Sequence, residues 1–144
     1  MATRPRVLID LNILLDVLQQ RDKFYAASVR VLSLAEAGWI DGVVAAHSLT
    51  TLFYLMAKYR NTEQARLTLT QLLVFLSVAA VDQAVIEGAL NLPYRDFEDA
   101  VQMAAALHAG AAYLVTRNPL DFKAGPITAL QPAELLALIQ GSPN

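Results

Sequence analysis

Three aspartates occupy positions where their carboxylates could do chemistry. Asp10 closes the apolar run Arg6–Ile9 (RVLI). Asp99 lies in the acidic start DFED of an otherwise apolar helix, and Asp121 ends the polar turn TRNPLD that follows the apolar run 111–115. Carboxylates that converge repel one another and destabilise a fold unless a cation or protons neutralise them. There is no cysteine, and His47 and His108 have no partner at ligand spacing. A donor set made only of oxygen favours Mg²⁺ or Mn²⁺ over Zn²⁺. Such an ion keeps several waters and contacts a phosphate, which points to metal-assisted phosphodiester hydrolysis. Each acid also has a plainer reading. Asp96 and Asp99 suit a helix N-terminus, and Asp121 could bind the amides of its own turn.

The elements that would carry these acids alternate between strand and helix. Arg6–Ile9 reads as the first strand, and residues 12–20 as a helix with Ile13, Leu14, Val17 and Leu18 inward. Asp16, within that helix, reads as a solvated residue or an ion-pair partner. A second helix covers 24–37 and stops at Gly38, beside which Trp39 reads as a packing residue. Strand 43–46 leads to a helix capped by Ser48 and reaching about Tyr59. A further helix, capped by Asn61 or Thr62, runs to about Phe75 and makes a helical hairpin with it. Strand 77–81 and a helix capped by Asp82 follow, before Pro93 and Tyr94 break the chain. In the next helix Phe97, Ala100, Val101, Ala104 and Leu107 recur at helical spacing and are expected to face a core, with Gly110 as the stop. Residues 111–115 are too few for a helix and read as a strand covered on both faces. A last strand, 127–130, precedes a helix from Pro132 to about Gln140. Alternation of this kind predicts a parallel sheet with helices on both faces. Ligands of such sheets sit outside the carboxyl ends of the strands, so the separated acids are expected to meet at one rim.

With 144 residues the chain can bury one sizeable core, and 1–140 is read as a single domain with 141–144 as its tail. The composition, 56% hydrophobic against 17% charged, suits a covered sheet or a buried partner surface. No apolar run spans a membrane, because charged or polar residues interrupt each one. The start lacks the apolar segment of a signal peptide, so cytoplasmic residence is the default expectation. A net charge of −2 gives no bulk attraction to nucleic acid, so any such binding must come from a local basic patch. Arg95, Arg117 and Lys123 flank the acids. They could hold phosphates across a metal site, or Arg95 and Arg117 could pair with the local acids.

Three segments, "VLIDLNILLD", "DFEDAVQMAAAL" and "LVTRNPLDF", together resemble the PIN-domain family in order and spacing, over essentially the whole chain. That family includes the VapC toxins of bacterial toxin–antitoxin pairs. The resemblance implies a three-layer α/β/α sandwich with a short, mainly parallel sheet of four or five strands. It implies a metal-dependent ribonuclease, with Asp10, Asp99 and Asp121 as the metal-site acids under Mg²⁺ or Mn²⁺. It also implies an RNA substrate and a small antitoxin, and the apolar composition fits a homodimer and an antitoxin-covered groove. Asn118 and Thr116 would order the turn around Asp121, with Asn12 in support beside Asp10. The family usually places an acid, commonly Glu, in the helix after the second strand. Here that helix reads "HSLTTLFYLMAKY", with Thr51 at the expected place, and Leu11 replaces a more usual small polar residue. Asp96 or Glu98 could partly compensate, Asp96 lying one turn before Asp99. The Thr51 departure keeps open a non-catalytic PIN-like domain that binds RNA or protein. An aspartyl-phosphate enzyme built on Asp10 ranks last, because Asn12 stands where such a site wants a second acid.

Overall fold

The computed structural model describes residues 4–140. Among these, five strands form one sheet: Arg6–Ile9 (β1), Asp41–Ala45 (β2), Ser77–Ala79 (β3), Tyr113–Val115 (β4) and Thr128–Leu130 (β5). Their order is β3-β2-β1-β4-β5, and every pairing is parallel. The first strand is therefore the middle one. Its three last residues are fully buried because helices cover both faces.

The side-chain alternation of β1 divides the core in two. Val7 and Ile9 face a cluster built with Leu11–Leu18 (α1), Asp22–Glu36 (α2), Ala46–Tyr59 (α3), Thr62–Leu72 (α4) and Pro132–Gln140 (α7). Leu8 faces the other cluster, built with Gln83–Leu90 (α5) and Phe97–His108 (α6). The result is the α/β/α sandwich, with the sheet wholly rather than mainly parallel and five strands wide. The alanines of α6 let that helix lie close on β2, β3 and β4. Gly110 ends α6 with φ +72°, a conformation a side chain would strain.

Several local expectations change. β3 and β4 are three residues each, shorter than 77–81 and 111–115. The helix expected from Ser48 begins at Ala46, so Ser48 lies buried inside α3 rather than capping it. Asp82 does cap α5, accepting from the Val85 amide, and Asn61 caps α4 through the Gln64 amide. Phe97 and Leu107 are exposed, unlike their neighbours Ala100, Val101 and Ala104. Both lie outside the narrow stripe that α6 presses on the sheet. Trp39, expected to pack, is 55% exposed in the turn after α2. Asp16 is not solvated. It is fully buried, and its burial is tolerated because Ser28 donates to it and Arg21 and Arg117 stand against it. Residues 141–144 lie outside the described residues.

Candidate metal and nucleic-acid site

The parallel sheet brings the carboxyl ends of β1 and β4 side by side, with Ile9 opposite Val115. Asp10 and Thr116 are the next residues on each chain, and their backbones stay joined, the Asp10 amide donating to the Val115 carbonyl at 3.0 Å. The Thr116 hydroxyl donates to Asp10 Oδ2 at 2.8 Å. Gln102 of α6 donates from Nε2 to Asp10 Oδ1 at 2.9 Å. Asp10 also sits at the N-cap position of α1, although its carboxylate makes no cap bond.

The rest of the acids come from α6 and the turn after β4. Asp96 caps α6, accepting from the Glu98 amide at 2.8 Å. Asp99 follows in the first turn and points with Asp96 and Asp121 into an open pocket of 450 Å³. Asp121 is carried by a 3₁₀ turn, Pro119–Phe122, whose start is tied back by the Asn118 amide to Thr116 Oγ1. Tyr94 closes the far side. Its hydroxyl donates to the Phe122 carbonyl at 3.0 Å, and the two rings meet edge to face. Arg95 and Lys123 line the same pocket, and neither makes an ion pair among the described residues.

The charges that act on Asp99 are all of one sign. Burial pushes the Asp99 pKa up to about 7, and the charges of Asp96, Asp10, Asp121 and Glu98 push it the same way. None of these five acids has an ion-pair partner among the described residues. The donor chemistry therefore fits a hard divalent cation, which would relieve the repulsion. No three His, Asp or Glu side chains among the described residues stand at mutual ligand spacing. Such a cation would hold part of the set through its own waters, as Mg²⁺ commonly does.

Of the residues expected at the site, Asp10, Asp96, Asp99 and Asp121 share one rim, with Thr116 bonded to the first of them and Asn118 in the turn of the last. Asn12 is half-buried in the first turn of α1 and makes no hydrogen bond to these acids among the described residues. Thr51 turns its hydroxyl onto the His47 carbonyl of its own helix, at 3.3 Å. Arg117 points to the opposite side of its turn. It pairs with Asp16, Nε to Oδ2 at 3.3 Å, and stacks on Phe24 with 4.3 Å to the ring centroid.

Gln102 went unread in the sequence, and His47, which reads there as a structural or surface residue, lies beside the site. Gln102 had a signal: it is the one polar residue in the run AVQMAAA, three positions after Asp99 and so on the same helix face. His47 had none beyond its place after β2. It lies one helical turn before Thr51 and stands within electrostatic reach of Glu98 and Asp10. Burial lowers its pKa against the pull of those two charges. Its ring approaches the Glu98 backbone without reaching hydrogen-bonding geometry, and both buried nitrogens lack a partner among the described residues.

The fold is a wholly parallel α/β sandwich with a cluster of acids gathered at the carboxyl edge of its sheet. The model of the PIN domain matches residues 6–119, and the chain belongs to the PIN-domain family. Ribonuclease VapC1 of Aquifex aeolicus (strain VF5) is 23% identical over 134 residues, 90% of this chain and 92% of that protein. Among solved structures, a toxin–antitoxin complex from Klebsiella pneumoniae aligns with TM-score 0.68 at 23% identity, covering 88% of this chain and 97% of that one. VapBC2 from Rickettsia felis, bound to a DNA fragment from the promoter, aligns with TM-score 0.67 at 19% identity, covering 88% and 98%. The structural likenesses establish the fold. No helix of the described residues is long and apolar enough to cross a membrane.

Proposed function

We propose that the chain is a metal-dependent ribonuclease and the toxin of a toxin–antitoxin pair, working in the cytoplasm. The observation that carries this is the convergence of Asp10, Asp99 and Asp121 at one strand-end rim, where burial, and with it the charge of the surrounding acids, pushes the Asp99 pKa up to about 7. The family membership and the ribonuclease among the relatives support RNA as the substrate. The toxin–antitoxin complexes of the same fold support a small antitoxin as partner.

Asp10, Asp99 and Asp121 would hold one or two Mg²⁺ or Mn²⁺ ions. A bound ion supplies a water acidic enough to attack at neutral pH and a charge that stabilises the phosphorane-like transition state. Asp10 keeps one orientation because Thr116 and Gln102 each donate to one of its oxygens. Asp96 orders the start of α6 and adds negative charge beside Asp99. Tyr94 holds the turn of Asp121. Arg95 and Lys123, on the wall of the same pocket, would receive the phosphates on either side of the scissile bond. Arg117 contributes by anchoring its turn to Asp16 rather than by meeting phosphate. Exposed apolar residues such as Tyr54, Leu67 and Val74 on and after the α3–α4 hairpin suit coverage by a second copy or by the antitoxin.

Thr51 favours a second reading, a PIN domain that binds RNA or protein and cleaves poorly. The α3 position expected to be acidic carries a hydroxyl bonded within its own helix. Mn²⁺-dependent cleavage of RNA by the purified native chain, lost in Asp99→Asn, separates the two readings. Cleavage absent at every metal concentration favours the binding domain.

A further inference from the structure

Position 102 lies among Val101, Met103, Ala104 and Ala105, all buried, where an apolar residue would be the default. It holds a glutamine that is 2% exposed, with its amide half used: Nε2 donates to Asp10, and Oε1 has no partner among the described residues. The orientation is forced. A carboxylate oxygen only accepts, so turning the amide over would set two oxygens against each other at 2.9 Å. A buried acceptor without a donor lowers stability. A fold tolerates that cost most readily where a site needs the group.

Resting on the metal-site reading above, we propose that Gln102 is a positioning residue, its amide acting with the Thr116 hydroxyl as a two-point neutral clamp that orients Asp10 toward a divalent cation. Both donors are neutral, so they fix the carboxylate without cancelling the charge that attracts the ion. Each takes one oxygen, at 2.9 and 2.8 Å, and leaves the remaining lone pairs free. Gln102 lies three residues after Asp99 on α6, so the helix that supplies one acid also sets the direction of another. Outer partners of this kind govern metal affinity because they hold the ligand in its bound orientation before the metal arrives.

The test is Mn²⁺ calorimetry without RNA on the native chain, Gln102→Met, Thr116→Val and the double variant. Methionine keeps the volume of the glutamine and removes the donor, so packing alone predicts native affinity. The clamp predicts roughly 10- to 100-fold weaker Mn²⁺ binding in each single variant. It also predicts a smaller Mn²⁺-induced rise in melting temperature, with the metal-free circular dichroism spectrum unchanged. If Gln102→Met does not fold, Gln102→Asn takes its place: it keeps an amide but is one carbon too short to reach Asp10, and the same loss is expected. Native Mn²⁺ affinity in a folded Gln102 variant overturns the clamp while leaving the metal site standing. No Mn²⁺ binding by the native chain overturns the metal site and the clamp together.

Discussion

Asp16 and Arg117 are bound to each other across two parts of the chain: Asp16 is fully buried on α1, and the Arg117 Nε lies 3.3 Å from its Oδ2. Arg117 directly follows Thr116, which holds Asp10, and belongs to the turn that carries Asp121. The pair therefore fastens the site's loop to the helix layer behind it. Burial raises the Asp16 pKa against the lowering effects of the Ser28 hydrogen bond, Arg117 and Arg21, so the carboxylate depends on all three. Asp16→Ala leaves Arg117 without its partner and is predicted to cost about 3 kcal/mol. For a chain of this size that lowers the melting temperature by roughly 6–12 °C. Urea unfolding of the native chain and the variant measures it, and a loss below about 0.5 kcal/mol would show a solvated, dispensable pair.

Metal-free stability should fall as pH rises from about 4 to 7. Asp99 has its pKa raised from 3.8 to about 7 in the folded protein. Between those values the folded chain keeps a proton that the unfolded chain has released, so the unfolded state binds fewer protons and stability declines with pH. Asp99→Asn removes the slope, and saturating Mg²⁺ offsets it. At about a hundredfold excess over its dissociation constant, a single ion adds roughly 2.7 kcal/mol. Thermal melts at pH 5 and pH 8, with and without Mg²⁺, give the comparison. A native slope equal to that of Asp99→Asn would remove Asp99 as its source.

Gly125 is required by the packing behind Asp121. A Cβ there would overlap Tyr94 Oη and stand 2.6 Å from Met103 Cε. Gly125→Ala is predicted to displace Tyr94, break its bond to Phe122 and lower stability by about 1–3 kcal/mol. Tyr94→Phe keeps the ring and loses only the hydroxyl, for about 1 kcal/mol. Denaturation of both variants tests the order, and Tyr94→Phe being the more damaging would contradict it.

Thr51→Glu is predicted to tighten Mn²⁺ binding and raise cleavage in the native background, because it puts an acid at the α3 position where the family resemblance leads one to expect it. In the Asp99→Asn background the same change should restore little, since the acid set remains broken. Calorimetry and RNA cleavage on the four proteins of this cycle decide it. Unchanged Mn²⁺ affinity in a folded Thr51→Glu would mean that α3 does not present position 51 to the rim.

The sheet and the acid rim were legible in the sequence because each rests on a local pattern. Arg6–Ile9 and its neighbours are apolar runs too short to be helices; Asp10 and the turn of Asp121 follow such runs, and Asp99 stands in the acidic opening of an apolar helix. The polar partners were not legible, because they are fixed by long-range geometry. Asp16 looks like any acid on an amphipathic helix until Ser28 and Arg117 are folded against it. Arg117 likewise looks available to phosphate until the direction of its turn is known. The helical spacing of Phe97 and Leu107 was correct, but the stripe that α6 buries is narrower than the pattern suggested, since small alanines bring it close to the sheet. Ser48 follows β2 as a cap would, yet α3 starts two residues earlier.

Cleavage of a defined RNA pool by the purified chain is the most direct measurement. It is read in Mn²⁺, in Mg²⁺ and in excess chelator, for the native protein and Asp99→Asn after both are shown to be folded. The account predicts metal-dependent cleavage by the native protein, abolished by chelator and reduced at least about a hundredfold in Asp99→Asn. Equal cleavage by the two proteins, or native cleavage undiminished by chelator, would contradict it.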